Sequence, residues 1–452
     1  MIDIIRQILT PEVLTVIFIG GILVATLTGF HIAIVITSLG FVLGLLTIGP
    51  ITMEIMYGLF VRTMINYTLL AIPMFIFMGN IIQRSGIADS LYEQLYVALG
   101  PLRGGLAIGT ILFGTILAAC MGIIAASVSM MVLLGLAPMI KRGYAKDLAT
   151  GSVAAGGCLG ILIPPSIMIV VYGPMAEISV GKLFMAAFPA GLMLALLYCL
   201  YIVVRTLLRP NDAPGRPAWE PTVSTGKKIK GLIVSLAPPV ILILSVLGSI
   251  FFGLAAPTEA AGVGATASVL LALAYRKMSF KVLKETTLDT FRVSGYIFFL
   301  TCLILAAIGI FMRLGCQHVV ANVMLNAPGG RWGFFGITMF FVFALGFFMG
   351  WMPILFIVVP VVSPLIEAAG FDPIWFAIMV MVNLQAAFMT PPMALAIFLV
   401  KQMAPPELGI TTLDVIKGVA PFVGMILLTI LLLCIFPSIV TWLPEQMITP
   451  WT

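Results

Sequence analysis

The sequence predicts an all-α polytopic membrane protein with two inverted-topology repeats, each containing a re-entrant helical hairpin and a discontinuous helix. Three observations predict this fold class: the composition, two matched interruptions in apolar segments, and the distribution of basic residues. Apolar residues make up 62% of the 452 residues and charged residues only 9%. A soluble domain carries about 25% charged residues. The bilayer is therefore the expected solvent, and the net charge of +6 does not indicate nucleic acid.

Apolar runs predict ten membrane spans and two hairpins. The spans are 12–29, 31–49, 67–83, 145–176, 179–208, 229–252, 257–275, 292–313, 372–402 and 412–440, and the hairpins are 104–140 and 333–369. Two amphipathic segments, 51–66 and 279–291, are expected to lie along the membrane surface. The basic residues place both ends of the first hairpin on the same side of the membrane. Two complete spans would give the same result, so charge alone does not separate a re-entrant hairpin from a helix pair.

Two of these spans are interrupted by proline pairs. One contains Gly-Gly-Cys-Leu-Gly-Ile-Leu-Ile-Pro-Pro at 156–165, and the other contains Asn-Leu-Gln-Ala-Ala-Phe-Met-Thr-Pro-Pro at 383–392. Proline lacks a backbone N–H and clashes with the carbonyl four residues before it, so a helix stops there. As unbroken helices the two spans would be about 45–48 Å long, whereas the hydrocarbon core is about 30 Å thick. Each span is therefore predicted to break near its middle.

Basic residues set the expected orientation. Six of them lie within 205–230 and four more within 276–284. Short loops rich in Lys and Arg remain in the cytoplasm. Counting spans outwards from these two loops places both chain ends outside, which for an inner-membrane protein is the periplasm.

The two halves share one pattern. Gly143 precedes Pro164 by 21 residues, and Gly370 precedes Pro391 by the same number. Each half contains two spans, a polar-flanked helix, a span, a hairpin, a broken span and a connecting span, and the charge count gives the halves opposite orientations. Inverted repeats with discontinuous helices are typical of secondary transporters. The predicted division is a first repeat at 1–208, a cytoplasmic linker at 209–228 and a second repeat at 229–452.

The end of each first half-helix is a candidate cation site. Its last carbonyls, including those of Gly156 and Gly157, carry the negative end of the helix dipole. Asn383 and Thr390 add neutral side-chain oxygens, which suit a hard cation such as sodium. Ser127 in the first hairpin is a further sodium candidate, and its alternative role is a hydrogen bond to its own backbone.

The start of each second half-helix is a candidate anion site. Helices expected to begin at Pro165 and Pro392 would present free N–H groups to a carboxylate. The predicted substrate contacts are Pro164, Pro165, Ser166, Pro391 and Pro392. A single proline pair in a membrane helix is more often only a kink, but two pairs at matched repeat positions favour a site.

At these residues the chain resembles the large membrane subunit of TRAP (tripartite ATP-independent periplasmic) transporters, and the resemblance runs nearly end to end. The most specific motifs are Gly160-Ile-Leu-Ile-Pro-Pro-Ser…Tyr172-Gly173 and Asn383…Thr390-Pro-Pro392. Other matching motifs are Ile72-Pro-Met-Phe…Gly79…Arg84-Ser-Gly86, Lys141-Arg-Gly-Tyr144, Pro257-Thr-Glu-Ala-Ala261 and Gly370-Phe-Asp-Pro373. The resemblance implies uptake of a small organic acid across the bacterial inner membrane by an elevator motion, with Na⁺ as the coupling ion.

The resemblance also implies two protein partners: a small four-helix membrane subunit and a periplasmic substrate-binding protein. No four-helix extension precedes the first span, which resembles the unfused type. Two further sodium candidates follow from the resemblance, Thr258 in the Pro-Thr-Glu motif and Gly350, where an acidic residue is common. The first hairpin tip departs from the frequent Ser-Gly-Ser by reading Ala-Cys-Met-Gly at 119–122, and Ala387 replaces a frequent glycine. The stretch 383–407 resembles a branch associated with monocarboxylates such as 2-oxo acids.

Two alternatives remain open at this point, a proton-coupled carboxylate transporter and an anion channel that needs no binding protein. Proton coupling would use Glu259, for which capping a helix N-terminus is the expected role. A channel needs a continuous polar pore, whereas the polar residues here are confined to two breaks and one hairpin. An enzyme is not expected, because paired aspartates, His-Glu-x-x-His and a phosphate-binding Gly-rich loop are all missing from the sequence.

Overall fold

A computed structural model describes residues 9–27, 29–121, 124–215 and 224–448, without the side chains of 26, 27 and 118–121. Every regular element in these ranges is a helix. The helices of the first half are Pro11–Leu27, Ile32–Ile48, Ile51–Met64, Ala71–Arg84, Ile87–Leu99, Gly105–Met121, Ile124–Lys141, Lys146–Cys158, Ile167–Ala176 and Val180–Leu208. Those of the second half are Thr225–Phe251, Pro257–Ala274, Phe280–Arg313, Cys316–Leu325, Gly330–Leu345, Trp351–Ile366, Pro373–Ala387, Leu395–Met403, Thr412–Ile435 and Ser438–Glu445.

Within the described ranges, six helices are long and apolar enough to cross a membrane, and a bent pair would make a seventh. The second arm of the first hairpin, Ile124–Lys141, is one of these six, whereas both arms of the second hairpin, Gly330–Leu345 and Trp351–Ile366, are shorter apolar helices. Each arm of the second hairpin has 16 residues. At 1.5 Å per residue such an arm rises about 24 Å, less than the roughly 30 Å of hydrocarbon, which favours the re-entrant interpretation.

One sequence prediction is wrong in the second half. The segment 279–291 was expected to form a surface helix separate from the span 292–313, but Phe280–Arg313 is one helix of 34 residues. In the first half the corresponding break exists, because Asn66 accepts a hydrogen bond from the Thr68 N–H (3.0 Å) and caps a short 3₁₀ turn. The chain bends by 49° there. The second half has neither a proline nor such a cap at this point, so the helix continues.

The two halves pack in a reciprocal way. The first broken span contacts the last long helix, Thr412–Ile435, while the second broken span contacts the connecting helix of the first half, Val180–Leu208. The second arm of each hairpin contacts the second half-helix of the other repeat's broken span. The same element order with exchanged contacts is what two repeats related by a pseudo-twofold axis produce. The opposite membrane orientation of the halves stays a prediction.

Glycines make the closest of these helix crossings possible. A Cβ on Gly418 of the last long helix would overlap the Asp147 carbonyl oxygen and would lie 2.9 Å from the Gly151 N atom. A Cβ on Gly151 would overlap the Gly418 carbonyl in turn. Backbone therefore lies directly against backbone where the first broken span crosses the last long helix.

The start of the linker is bound to the first half. Asp212 accepts a hydrogen bond at its carbonyl from the Ala145 N–H (2.8 Å), and the Ala213 carbonyl accepts one from the Gly104 N–H (3.2 Å). The Asp212 carboxylate also pairs with Arg205 (2.8 Å), which pairs with Asp147 as well. Residues 210–213 therefore join the base of the first hairpin to the base of the first broken span.

Candidate functional site in the two broken spans

The first broken span is interrupted where the sequence predicts. Its α-helix ends at Cys158, a 3₁₀ turn covers Leu159–Ile161, and a new helix begins at Ile167. The intervening residues include Pro164 and Pro165, which are joined by a cis peptide bond. The hydroxyl of Ser166 donates a hydrogen bond to the Ile161 carbonyl and so closes the loop.

The second broken span has the same plan. Its first helix ends at Ala387, the next helix begins at Leu395, and the peptide bond between Pro391 and Pro392 is again cis. The loop is closed by a backbone hydrogen bond, in which the Ala396 N–H donates to the Phe388 carbonyl (3.1 Å).

The second half-helices begin later than the sequence predicts. They were expected to start at Pro165 and Pro392, but they start at Ile167 and Leu395. Ser166 is extended (φ −121°, ψ 135°), and Ala394 has φ 19° and ψ 61°, so neither belongs to a helix. The free N–H groups of a helix first turn therefore lie two to three residues beyond the proline pairs.

Gly156 and Gly157 lie against the first hairpin. A Cβ on Gly157 would be 2.9 Å from the Val128 Cα, and a Cβ on Gly156 would be 3.1 Å from the Met131 Sδ. Both glycines are buried. Ser127 precedes Val128 in the same hairpin arm, is 0% exposed, and has a hydroxyl oxygen without a hydrogen-bond partner in the described part of the chain. The structure thus brings Ser127 and the two glycines to the same break. The predicted first hairpin tip, 119–122, has no described side chains.

Asn383 and Thr390 flank the second break. The Asn383 Nδ2 donates to the Met339 carbonyl of the second hairpin (2.7 Å), so the amide oxygen is left for another partner. The Thr390 hydroxyl donates to the Ala386 carbonyl (2.9 Å). A hydroxyl that donates its hydrogen in this way keeps both lone pairs for a cation.

The two loops differ in exposure. Pro164, Pro165 and Ser166 are all buried, whereas Pro391 and Pro392 are exposed. Met393, the next residue, is 48% exposed. The first loop is covered by protein and the second is open on one side.

The two candidates suggested by the resemblance differ in position, because Gly350 lies at the tip of the second hairpin, where a Cβ on Gly346 would overlap the Ala387 side chain at the second break. Gly350 is the exposed N-cap of the second arm of the second hairpin, and a Cβ placed on it would meet no atom within 4 Å. Thr258 lies in the first turn of Pro257–Ala274, which packs against Ala71–Arg84 and Thr225–Phe251. The structure therefore does not gather Thr258 with the residues of the breaks. Next to it, the Glu259 carboxylate accepts a hydrogen bond from the Ala256 N–H (2.9 Å), which confirms the capping role.

Gln385 is a polar residue that sequence reasoning passed over. It lies in the last turn before the second break and is 0% exposed, and neither Nε2 nor Oε1 has a partner among the described residues. At 100° per residue it points about 200° away from Asn383, towards the side of the helix that does not face the hairpin. The quoted motif contains this glutamine, but only the structure shows that its amide is unpaired.

The breaks can hold opposite charges close together. The carbonyls of Gly156 and Gly157 lie at the negative end of a helix dipole, and the first turn from Ile167 lies at the positive end of the next helix. Buried surroundings strengthen both interactions, because little water screens them. This arrangement suits a cation and a carboxylate bound side by side.

Comparison with known proteins decides the family. The sequence profile of the DctM component of the tripartite ATP-independent periplasmic transporters matches residues 19–439. The chain belongs to this family. It is therefore a multi-pass inner-membrane permease of a secondary transporter for organic acids, and not an enzyme.

Several relatives match over most of their length. The C4-dicarboxylate TRAP transporter large permease protein DctM of Vibrio cholerae is 30% identical over 85% of this chain and 87% of its own. The ectoine TRAP transporter large permease protein TeaC of Halomonas elongata is 31% identical over 84% and 86%. The 2,3-diketo-L-gulonate TRAP transporter large permease protein YiaN of Escherichia coli is 27% identical over 96% and 98%.

The fold is similar to that of a solved transporter. The YdaH transporter of Alcanivorax borkumensis superposes with a TM-score of 0.61 over 85% of this chain and 87% of its own, at 14% sequence identity. At that identity the likeness supports the fold alone. It confirms the predicted all-helical class of polytopic membrane protein.

Proposed function

We propose that this chain is the large permease of a sodium-coupled TRAP transporter that takes up a small organic acid by an elevator motion. The observation that carries the proposal is the pair of matched breaks, each packed against a hairpin. Each broken span contacts a long helix of the other repeat, and the second arm of each hairpin contacts the other repeat's second half-helix, so ions and cargo would be held between elements that move together.

Sodium is the proposed coupling ion because the oxygens at the breaks are neutral. At the first break these oxygens are the carbonyls of Gly156 and Gly157 and the unpaired hydroxyl of Ser127. At the second break they are the Asn383 amide oxygen and the Thr390 hydroxyl. Neutral oxygens in a flexible set suit a hard monovalent cation better than a proton, which needs a titratable group. Gly350 stays a candidate at the second hairpin tip.

The carboxylate is proposed to bind at the starts of the second half-helices. The proposed anion ligands are the N–H groups of the first helical turn from Ile167 and the N–H of Leu395, together with Ser166 and the proline-pair loops. The next two N–H groups of the second half-helix, those of Ala396 and Ile397, already donate to the Phe388 and Ala394 carbonyls. Relatives named for a C4-dicarboxylate and for 2,3-diketo-L-gulonate support a carboxylate cargo. Gln385, with an unpaired donor and acceptor, is added as a candidate ligand of the second break.

Family membership supports two partners, a small membrane subunit and a periplasmic substrate-binding protein. The large apolar residues exposed on Pro11–Leu27 and Ile32–Ile48 would be covered by lipid or by the small subunit. The periplasmic location of both chain ends remains part of the proposal.

The test is uptake by proteoliposomes that contain the two membrane subunits, with the binding protein added outside. We expect accumulation of a labelled carboxylate with an inward sodium gradient and none with an equal potassium or proton gradient. Uptake driven equally well by protons would remove the sodium assignment. Flux without saturation that needs no binding protein would favour the alternative of an anion channel.

A further inference from the structure

Several basic side chains form hydrogen bonds or ion pairs within the described part of the chain. Arg84 pairs with Glu285 and Asp289, Arg142 donates to the Gly100 carbonyl (3.1 Å), and Arg205 pairs with Asp147 and Asp212. Lys146 and Lys401 donate to the carbonyls of Gly409 and Ile410, each at 2.7 Å. These cations therefore stabilise contacts within the fold.

The basic residues without such a bond include seven that lie close together in sequence and fold, in the first three helices of the second half and the loop between them. Their side chains form no hydrogen bond or ion pair with any described residue, and all but Lys228, which is half-buried, are exposed. The seven, called the basic cluster below, are Lys227, Lys228, Lys230, Arg276, Lys277, Lys281 and Lys284.

The fold brings the two parts of the basic cluster together. The Tyr275 hydroxyl donates to the Val234 carbonyl (3.2 Å) and joins the end of Pro257–Ala274 to the start of Thr225–Phe251. Lys230 lies one helical turn before Val234, and Arg276 directly follows Tyr275. Both helices are long enough to cross a membrane. The basic cluster therefore lies at one membrane boundary.

The start of the long helix Phe280–Arg313 adds an apolar surface to this cluster. Phe280 is 82% exposed and Phe291 is 75% exposed. At 100° per residue both rings fall in one arc with Lys281 and Lys284, opposite the buried Thr286. Aromatic rings flanked by lysines on a helix face suit the boundary between lipid headgroups and acyl chains.

Nearby acidic groups do not neutralise this arc. Glu285 and Asp289, on the flank of the same helix, are engaged with Arg84, and Asp289 also lies 3.6 Å from Arg292.

Arg276 occupies the left-handed region (φ 54°), where glycine is favoured. A cation is thus present where an uncharged glycine would cost less backbone strain.

We propose that the basic cluster and the Phe280–Phe291 arc form a binding site for anionic phospholipid headgroups. The phosphate would lie among the lysines and Arg276, while the acyl chains would lie along the two phenylalanine rings. Each Lys or Arg near an anionic membrane surface strengthens binding by a factor of about five. The site joins the first spans of the second half to its long helix, so a bound lipid would hold these elements in register.

The experiment uses the detergent-purified full chain and its melting temperature. We expect phosphatidylglycerol to raise the melting temperature more than phosphatidylcholine does, with a difference that fades in 1 M salt because screening shortens to about 3 Å. Lys281→Gln combined with Lys284→Gln should weaken the phosphatidylglycerol titration about 25-fold. The matched control is Arg62→Gln with Arg313→Gln, two exposed cations outside the cluster, which should titrate like wild type.

A second variant keeps the proposal testable if the lysine double variant fails to fold. Arg276→Gly removes a charge and relieves the left-handed backbone, so we expect equal or higher stability without lipid and about fivefold weaker phosphatidylglycerol binding. Equal titrations of the lysine double variant and wild type would overturn the proposal. The same would follow if inorganic phosphate or an acidic peptide reproduced the effect at the same concentration, because the ligand would then not be a lipid.

Discussion

Thr390 allows the proposed sodium site to be separated from its structural surroundings. Its hydroxyl donates to the Ala386 carbonyl four residues before it (2.9 Å). Thr429, in the last long helix, makes the same bond to the Met425 carbonyl (2.8 Å). Thr390→Ala and Thr429→Ala therefore remove the same hydrogen bond, worth about 1 kcal/mol net. Only Thr390 lies beside a break.

The expected effect on sodium follows from the oxygen that is lost. An interaction with a charged group contributes about 1.5–3 kcal/mol, so Thr390→Ala should bind sodium roughly 10- to 100-fold more weakly. Sodium at 100 times its Kd would stabilise the wild-type protein by about 2.7 kcal/mol, and a tenfold loss of affinity would reduce this to about 1.4 kcal/mol. Thr429→Ala should keep the full sodium effect.

The assay is a melting curve in increasing sodium chloride, with choline chloride holding the ionic strength constant, alongside initial uptake rates in proteoliposomes. Thr390→Ala should shift both sodium titrations to higher concentration. If the two threonine variants gave superimposable sodium titrations, Thr390 would not be a sodium ligand, whatever their common loss of stability.

Three further predictions concern packing and buried polar groups. Gly418→Ala should lower the free energy of unfolding by about 1–3 kcal/mol, because its methyl group would overlap backbone atoms. Gly424→Ala in the same helix meets no atom within 4 Å and should be neutral or stabilising. Thermal unfolding of the two variants measures the difference. Gln385→Met should raise the melting temperature, because each unpaired buried polar atom costs about 1–3 kcal/mol, and it should slow uptake at least tenfold. The control is Thr286→Val, which also removes an unpaired buried oxygen. It should stabilise the protein without slowing uptake. Asn383→Ala should reduce sodium-driven uptake, and full uptake by this variant would remove the residue from the site.

Much of the fold follows from one-dimensional patterns. Proline pairs and apolar length locate both breaks, because a missing N–H and a 30 Å bilayer act on the chain wherever it packs. The boundary of the second half-helices does not follow, since Ser166 is held extended and bonds back to Ile161, a contact that no local rule specifies. The continuity of Phe280–Arg313 was missed because amphipathicity changes along the helix without any signal that ends it.

The site could be predicted only in part. Asn383, Thr390 and the glycines stand out because they interrupt apolar sequence, and the structure places them at the breaks. Gln385 was missed because its significance lies in an absent partner, which depends on tertiary packing. Thr258 was included through a motif, and its helix packs among other spans. Motifs identify the residue types available, while packing decides which of them meet.

The reciprocal packing limits how the breaks can move. The second arm of the first hairpin contacts both Lys146–Cys158 and the half-helix Leu395–Met403 of the other repeat, and the second arm of the second hairpin contacts Ile167–Ala176. Gly157 meets Val128 so closely that the first break cannot slide past its hairpin without opening that interface. Dense interiors tolerate few intermediate arrangements. The hairpins and broken spans therefore favour motion as one body, which is what an elevator needs, and a disulfide engineered between the first hairpin and the first broken span should leave uptake intact.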